Sequence, residues 1–232
     1  MSTDLSRYIV AGSRPWNRQL FDRELKKLPG IWEFAADSNA LSELLSSGDV
    51  PRYLFFLHWS VRVPEEVFTR YECVCFHMTD VPYGRGGSPL QNLIIRGHRE
   101  TKLTALRMVS EMDAGPVYLK EPLSLEGSAK DIYSRAGYIS ARMIQTIIQT
   151  HPQPVPQVGE PVCFKRRTPD QSLVPSDLPS AAALYDFIRM LDAEGYPSAF
   201  IEHGGFLWEF TEAAQDDGVV NARVRIRRLG AS

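Results

Sequence analysis

Three short runs, YIVAGS (8–13), RYLFFLHW (52–59) and ECVCF (72–76), are mostly apolar. A run of that kind, rather than one apolar at alternate positions, belongs to a strand covered on both faces. Between them lie segments with helical spacing. Asn17 reads as the cap of a helix that puts Leu20, Phe21, Leu25 and Leu28 on one face. WEFAAD (32–37) reads as a further strand, ALSELLSSG (40–48) as a short helix ended by Gly48, and VPEEVFTRY (63–71) as a helix with Pro64 in its first turn. Strands alternating with helices demand crossovers, and right-handed crossovers give a parallel sheet with helices on its faces. In such sheets ligands gather beyond the carboxyl ends of the strands. Gly12, His58 and His77 each stand at such an end.

The second half of the chain reads differently. SPLQNLIIRG (88–97) predicts a helix capped by Ser88 and ended by Gly97. Residues 101–109 and 116–123 predict strands joined through the loop SEMDAG. Residues 127–150 carry the strongest helical pattern, with Ser128 and Asp131 as a capping box and Ile132, Ala136, Ile139, Met143 and Ile147 as its apolar stripe. Residues 151–162 hold four prolines and read as a surface crossing. A helix from Ser180 to about Ala193 follows, and GVVNARVRIRRL alternates as an edge or hairpin strand does. We therefore expect a main domain over 1–154 and a small C-terminal α+β appendage over 155–232.

Composition narrows the function. The chain has 232 residues, 44% of them hydrophobic, and a formal net charge of −2. A nucleic-acid binder usually carries a basic surplus, so no nucleic-acid partner is expected. No apolar run is long enough to span a membrane. The three cysteines, Cys73, Cys75 and Cys163, form no Cys-x-x-Cys pair, which fits a reducing compartment and a cytoplasmic protein. No spacing of His, Cys and Asp makes a metal site.

Two residues stand out for chemistry. His77 ends an apolar strand and is followed by the stiff, glycine-rich turn MTDVPYGRGG; Asp113 lies in MDAGP. A histidine and an aspartate on neighbouring loops form an oriented acid/base pair. Each alone reads more readily as structural, the histidine as a packed strand end and the aspartate as a turn former; together they point to chemistry. Trp59 is either a pocket wall or core. Arg14 and Asn17 are candidates to touch a phosphate or acceptor, and the basic run at 165–167 reads as a solvated face.

At these residues the sequence resembles the folate-dependent formyltransferases, a family that includes methionyl-tRNA, glycinamide-ribonucleotide and sugar N-formyltransferases. The family pattern is Asn-x-His followed by Pro-Ser-Leu-Leu-Pro, an Arg/Pro-Gly pair and, further on, an Asp-x-Gly-Pro turn. CFHMTDVPYGRGG matches at His77, Thr79, Pro82, Arg85 and Gly86, and MDAGPV at Asp113, Gly115 and Pro116. FFLHWSVRVPEEVF is similar to the segment that holds the folate's pteridine.

The resemblance implies a Rossmann-like, mostly parallel sheet and a formyl donor, N10-formyltetrahydrofolate. It implies a pterin site at Trp59, Ser60, Val61, Val63, Ser110 and Glu111, and acceptor contacts at Thr79, Tyr83, Arg85, Gly86 and Arg14. In this reading His77 stabilises the charge that develops on the formyl oxygen, and Asp113 orients the imidazole and relays a proton from the amine. One position departs from the pattern: the family's Asn is here Cys75, and a thiol is a poor substitute for an amide donor. Asn92, His58 and backbone N–H groups are the alternatives.

Among acceptors, length and charge favour a nucleotide-linked (UDP-type) amino sugar of the pseudaminic acid pathway over methionyl-tRNA or a carrier-bound amino acid. A folate-binding module without activity stays open. A homodimer through the C-terminal appendage is the expected assembly.

Overall fold

A computed structural model describes residues 6–230. Contacts gather the chain into two units. The first comprises the described residues through Arg85, with Lys102–Leu123 and Ser134–Cys163; the second comprises Gly86–Thr101, Ser124–Tyr133 and the chain from Phe164 onward. This grouping does not follow a single cut such as 154/155, because the chain leaves and re-enters each unit.

The first unit is built on β1 (Arg7–Gly12), β2 (Ile31–Ala35), β3 (Tyr53–Leu57), β4 (Cys73–His77), β6 (Glu100–Arg107) and β7 (Val117–Ser124), in the sheet order β2-β1-β3-β4-β6-β7. The first four strands run parallel, as their apolar character and intervening helices require. Those helices are α1 (Pro15–Arg23), α2 (Ser38–Ser46) and α3 (Glu65–Arg70). Ile9, Leu54, Phe55 and Phe56 are fully or almost fully buried, each worth about 1.5–3 kcal/mol relative to exposure. Arg7 is buried among them, and its guanidinium donates to Glu33 and to the carbonyls of Leu44 and Asp49, closing the end of α2.

Asn17 is not the cap of α1. That helix begins at Pro15, and the Asn17 side chain turns back to accept from the Arg14 N–H at 3.1 Å. Gly12 gives it room, for a Cβ there would lie 2.6 Å from the Asn17 Cβ.

Strand β6 runs antiparallel to β4, with Val74 opposite Arg107 and His77 opposite Thr104. The turn after His77 forms β5 (Tyr83–Gly86), which pairs with β8 (Val162–Phe164). The proline-rich segment 151–162 is no free crossing, since Val155 bridges Val117 and the Val162 N–H donates to the Pro82 carbonyl.

The second unit contains α4 (Pro89–Ile95), α6 (Ala181–Arg189) and an antiparallel sheet of order β11-β10-β9, formed by β9 (Ala199–His203), β10 (Phe206–Asp216) and β11 (Val219–Arg228). The alternating ending is thus an edge strand in a hairpin, as its pattern predicts. The long helix α5 (Ala129–Thr150) starts in this unit with the predicted reciprocal capping, Ser128 N–H to Asp131 at 2.9 Å and Asp131 N–H to the Ser128 hydroxyl at 3.3 Å. Ser88 caps α4 differently from expectation. Its φ of 49° lies in the left-handed region, and its hydroxyl accepts from the Arg167 N–H rather than from its own helix.

Candidate active site

Strands β1, β3 and β4 lie side by side and parallel, with Gly12 opposite Leu57 and Phe56 opposite Cys75. The chain therefore leaves the sheet on the same side at Ser13, His58 and His77. There the Ser13 hydroxyl donates to the His58 carbonyl at 2.8 Å and receives the Ser60 N–H at 3.3 Å, tying two strand ends together. His58 has a φ of 48° and packs edge-on against Trp16. Burial, and then the positive charge of Arg14, push its pKa down to about 4, so it is a neutral imidazole near pH 7.

His77 is almost fully buried. Nε2 lies 2.7 Å from the carbonyl of Gly84. A carbonyl only accepts, so Nε2 carries the proton. The same carbonyl receives the hydroxyl of Thr79, itself fully buried, at 3.3 Å. The Thr79 carbonyl in turn receives the Thr104 hydroxyl at 2.7 Å. Below this, Lys120 donates to Asp80 and to the Val81 carbonyl, and Lys102 reaches Asp80 at 2.9 Å. Burial works against the charge on Asp80, but the two lysines outweigh it and hold the carboxyl below the usual range.

The other ring nitrogen, Nδ1, faces Asp113 at 3.5 Å. The sequence alone does not place Asp113 there. Because β6 opposes β4, its last residue, Arg107, sits beside Val74 rather than His77. Residues 108–116 must fold back along the strand to bring the carboxylate to the imidazole. Gly115 allows this: a Cβ on it would fall 1.7 Å from the Arg107 carbonyl oxygen. Asp113 has a φ of 54°, inside the left-handed region.

Cys75 lies two residues before His77 in β4, so the two side chains share a face. Its thiol points at the Leu106 carbonyl at 3.7 Å. Burial first, then the Asp113 and Cys73 charges, push its pKa far up, so the group is a neutral thiol. Asn92 does not replace the missing amide. Its Nδ2 serves the carbonyls of Gly87, Ser88 and Lys165, and its Oδ1 receives Arg96.

The remaining expected residues divide. Trp59 is half-buried and edge-on to Phe56, Ser60 and Val61 are exposed, and Ser110 and Glu111 are exposed in the Asp113 loop. These can meet a ligand. Val63 packs in the core with Ile9, Leu54 and Phe56, and its side chain presents nothing outward. Thr79 is likewise interior, so an acceptor contact through its side chain is excluded by burial. Gly86 is required where it stands, with a φ of 101° and a would-be Cβ 2.5 Å from the Phe164 carbonyl. Tyr83 opens β5 half-buried, and Arg14 is half-buried beside the Trp16 ring.

Arg85 is not turned to an acceptor: its guanidinium meets Gln157 and Glu111. Gln157 escaped the sequence reading. It lies in the proline-rich segment, where nothing local distinguishes it, yet its amide reaches the carbonyls of Asp113 and Gly115 at 2.8 Å each.

This arrangement has counterparts among known proteins. Residues 169–227 match the family model described as the C-terminal domain of methionyl-tRNA formyltransferase. The structure of methionyl-tRNA formyltransferase from Clostridium thermocellum is similar over 97% of this chain and 100% of that chain, at 38% identity and a TM-score of 0.88. Methionyl-tRNA formyltransferase from Lactobacillus acidophilus is 28% identical over 164 residues, 66% of this chain and 51% of that protein. HypX from Aquifex aeolicus, solved with tetrahydrofolic acid, shares the fold at 16% identity and a TM-score of 0.71, over 90% of this chain and 38% of that one. The chain spans from about a quarter to about half the length of the first curated relatives it matches. The near-complete, mutual match with the Clostridium protein decides the matter: the chain belongs to the formyltransferase family of which methionyl-tRNA formyltransferase is a member.

Proposed function

We propose that the chain transfers a formyl group from N10-formyltetrahydrofolate to a primary amine, with His77 and Asp113 handling the proton. The observation that carries this reading is the placement of the His77 ring between the Gly84 carbonyl and the Asp113 carboxylate. Its Nε2–H is held by the Gly84 carbonyl at 2.7 Å, which turns Nδ1 toward the Asp113 carboxylate, 3.5 Å away. As the attacking amine gains positive charge, its proton passes through the His77–Asp113 pair to the folate N10 as the bond from N10 to the formyl carbon breaks, with the ring held by Gly84 on one side and Asp113 on the other.

This differs from the oxyanion-donor role the resemblance implies for His77, because Nε2 is already engaged by the Gly84 carbonyl. The folate supplies the activated formyl carbon, and the exposed residues Trp59, Ser60, Val61, Ser110 and Glu111 are the proposed contacts for it. Tyr83 and Arg14 remain proposed acceptor contacts.

For the acceptor we favour a nucleotide-linked amino sugar. The net charge is −2, and two arginines of β11 are already paired, Arg223 with Glu212 and Arg227 with Glu209. The match of residues 169–227 to a methionyl-tRNA formyltransferase domain favours a second reading, in which the amine is that of an aminoacyl-tRNA.

Incubation with N10-formyltetrahydrofolate and a panel of UDP- and dTDP-linked amino sugars and methionyl-tRNA, following folate release, separates the two. His77→Ala is expected to lower kcat by about 10²–10⁴-fold on the true acceptor. Unchanged turnover in His77→Ala rules out the proton role, and folate binding without turnover on any acceptor supports a binding module instead.

A further inference from the structure

We propose that Gln157, together with Arg85, is a positioning element that sets the separation of His77 and Asp113. The proposal rests on the formyl-transfer reading above. All four hydrogen-bonding capacities of the Gln157 amide are engaged. Its Nε2 donates to the Asp113 carbonyl and the Gly115 carbonyl, 2.8 Å each. Its Oε1 accepts from Arg85 Nε at 3.0 Å and Nη2 at 2.9 Å. The remaining arm of Arg85 reaches Glu111 at 3.1 Å, and the Arg85 side chain is only 12% exposed.

The neighbouring residue, Gly84, carries the carbonyl that holds His77 Nε2. Two consecutive residues of one short strand therefore anchor both halves of the pair, Gly84 the imidazole directly and Arg85 the aspartate turn through Gln157. Beyond the Met108 N–H, which donates to the Cys73 carbonyl, Val109, Ser110, Glu111 and Met112 are exposed. A turn whose carboxylate must stand at a set distance from a buried ring needs a brace from outside itself. Gln157 supplies one from a segment whose backbone is fixed at Val155 and Val162.

The role is one of placement, so removing it should lower turnover more than donor binding. In Gln157→Leu, kcat for formyl transfer should fall about 10–100-fold, as displacements of about 1 Å do, while the donor's KM stays within about two-fold. Arg85→Met, which removes the other half of the brace, should reproduce the split and guards against a folding defect peculiar to one variant. A second measurement needs no activity. Long-range proton–nitrogen spectra of the histidine rings, with His77 assigned by His77→Gln, should show its Nδ1 signal move in both variants while those of His98 and His203 stay put.

A kcat within two-fold of wild type, or a loss matched by an equal rise in donor KM with the His77 ring signals unmoved, overturns the proposal. If the wild-type protein transfers no formyl group to any acceptor, the formyl-transfer reading fails on its own. The ring spectra then decide the positioning claim, and unmoved His77 signals overturn it.

Discussion

The turn after His77 and the turn around Asp113 hold the two halves of one site by different means. Between residues 77 and 86 the polar groups are answered locally or from the facing strand: Gly84 holds the imidazole and the Thr79 hydroxyl, Thr104 holds the Thr79 carbonyl, and Lys120 holds Asp80 and Val81. Between residues 108 and 116 the middle of the chain is exposed; its ends are held by the Met108 N–H on the Cys73 carbonyl, the Arg107 N–H on the Pro116 carbonyl and the close approach at Gly115, and a distant side chain, Gln157, reaches it from outside. A buried, self-satisfied turn resists displacement because each broken bond leaves an unpaired polar group. An exposed turn yields more readily, because water replaces what is lost. The pair thus joins a rigid imidazole to an adjustable carboxylate.

The largest expected effect falls on the adjustable side. Gly115→Ala drives a Cβ into the Arg107 carbonyl, where backbone meets backbone and neither yields cheaply. We expect a loss of about 3 kcal/mol or more and a fall in Tm of about 6–12 °C, read by thermal unfolding, with formyl transfer lost as the Asp113 turn shifts. A stable, active Gly115→Ala protein breaks the comparison, for the turn then has other support.

On the rigid side, Thr104→Val keeps the shape and leaves the buried Thr79 carbonyl without its donor. A loss of about 1–3 kcal/mol is expected in denaturant unfolding. A loss below about 0.5 kcal/mol would mean that the turn is not held as its hydrogen bonds imply.

The smallest effect belongs to Asp80→Asn. Asp80 titrates below its ordinary value in the folded protein, so it stabilises the fold above the unfolded-state pKa, and that contribution is lost as pH falls through the lower folded value. At pH 7 the variant should be less stable by about 1 kcal/mol or less, given a side chain 43% exposed, and the gap should close as pH falls below about 4. A gap that does not depend on pH assigns the loss to hydrogen bonding alone.

Several elements were open to a reader of the sequence. The parallel run β1–β4, the reciprocal cap of α5, the C-terminal hairpin and the candidacy of His77 and Asp113 follow from patterns a few residues long. The helix start at Pro15 and the left-handed Ser88 were missed because the side chains expected to cap those helices are engaged elsewhere, Asn17 with the Arg14 N–H and Ser88 with the Arg167 N–H. Thr79, Val63 and Arg85 matched a motif or segment as ligand contacts, yet burial or pairing turns their side chains inward.

What the sequence determined by itself is the set of local preferences: which runs are strands, where they stop, and which titratable groups stand at their ends. Those follow from side-chain periodicity and backbone freedom, which act over a few residues. Only the tertiary structure decided that β6 runs against β4, that the Asp113 turn folds back, that Nε2 of His77 is the protonated nitrogen, and that a glutamine far along the chain braces the pair. Such facts depend on which distant carbonyl a side chain meets, and no local pattern encodes that meeting.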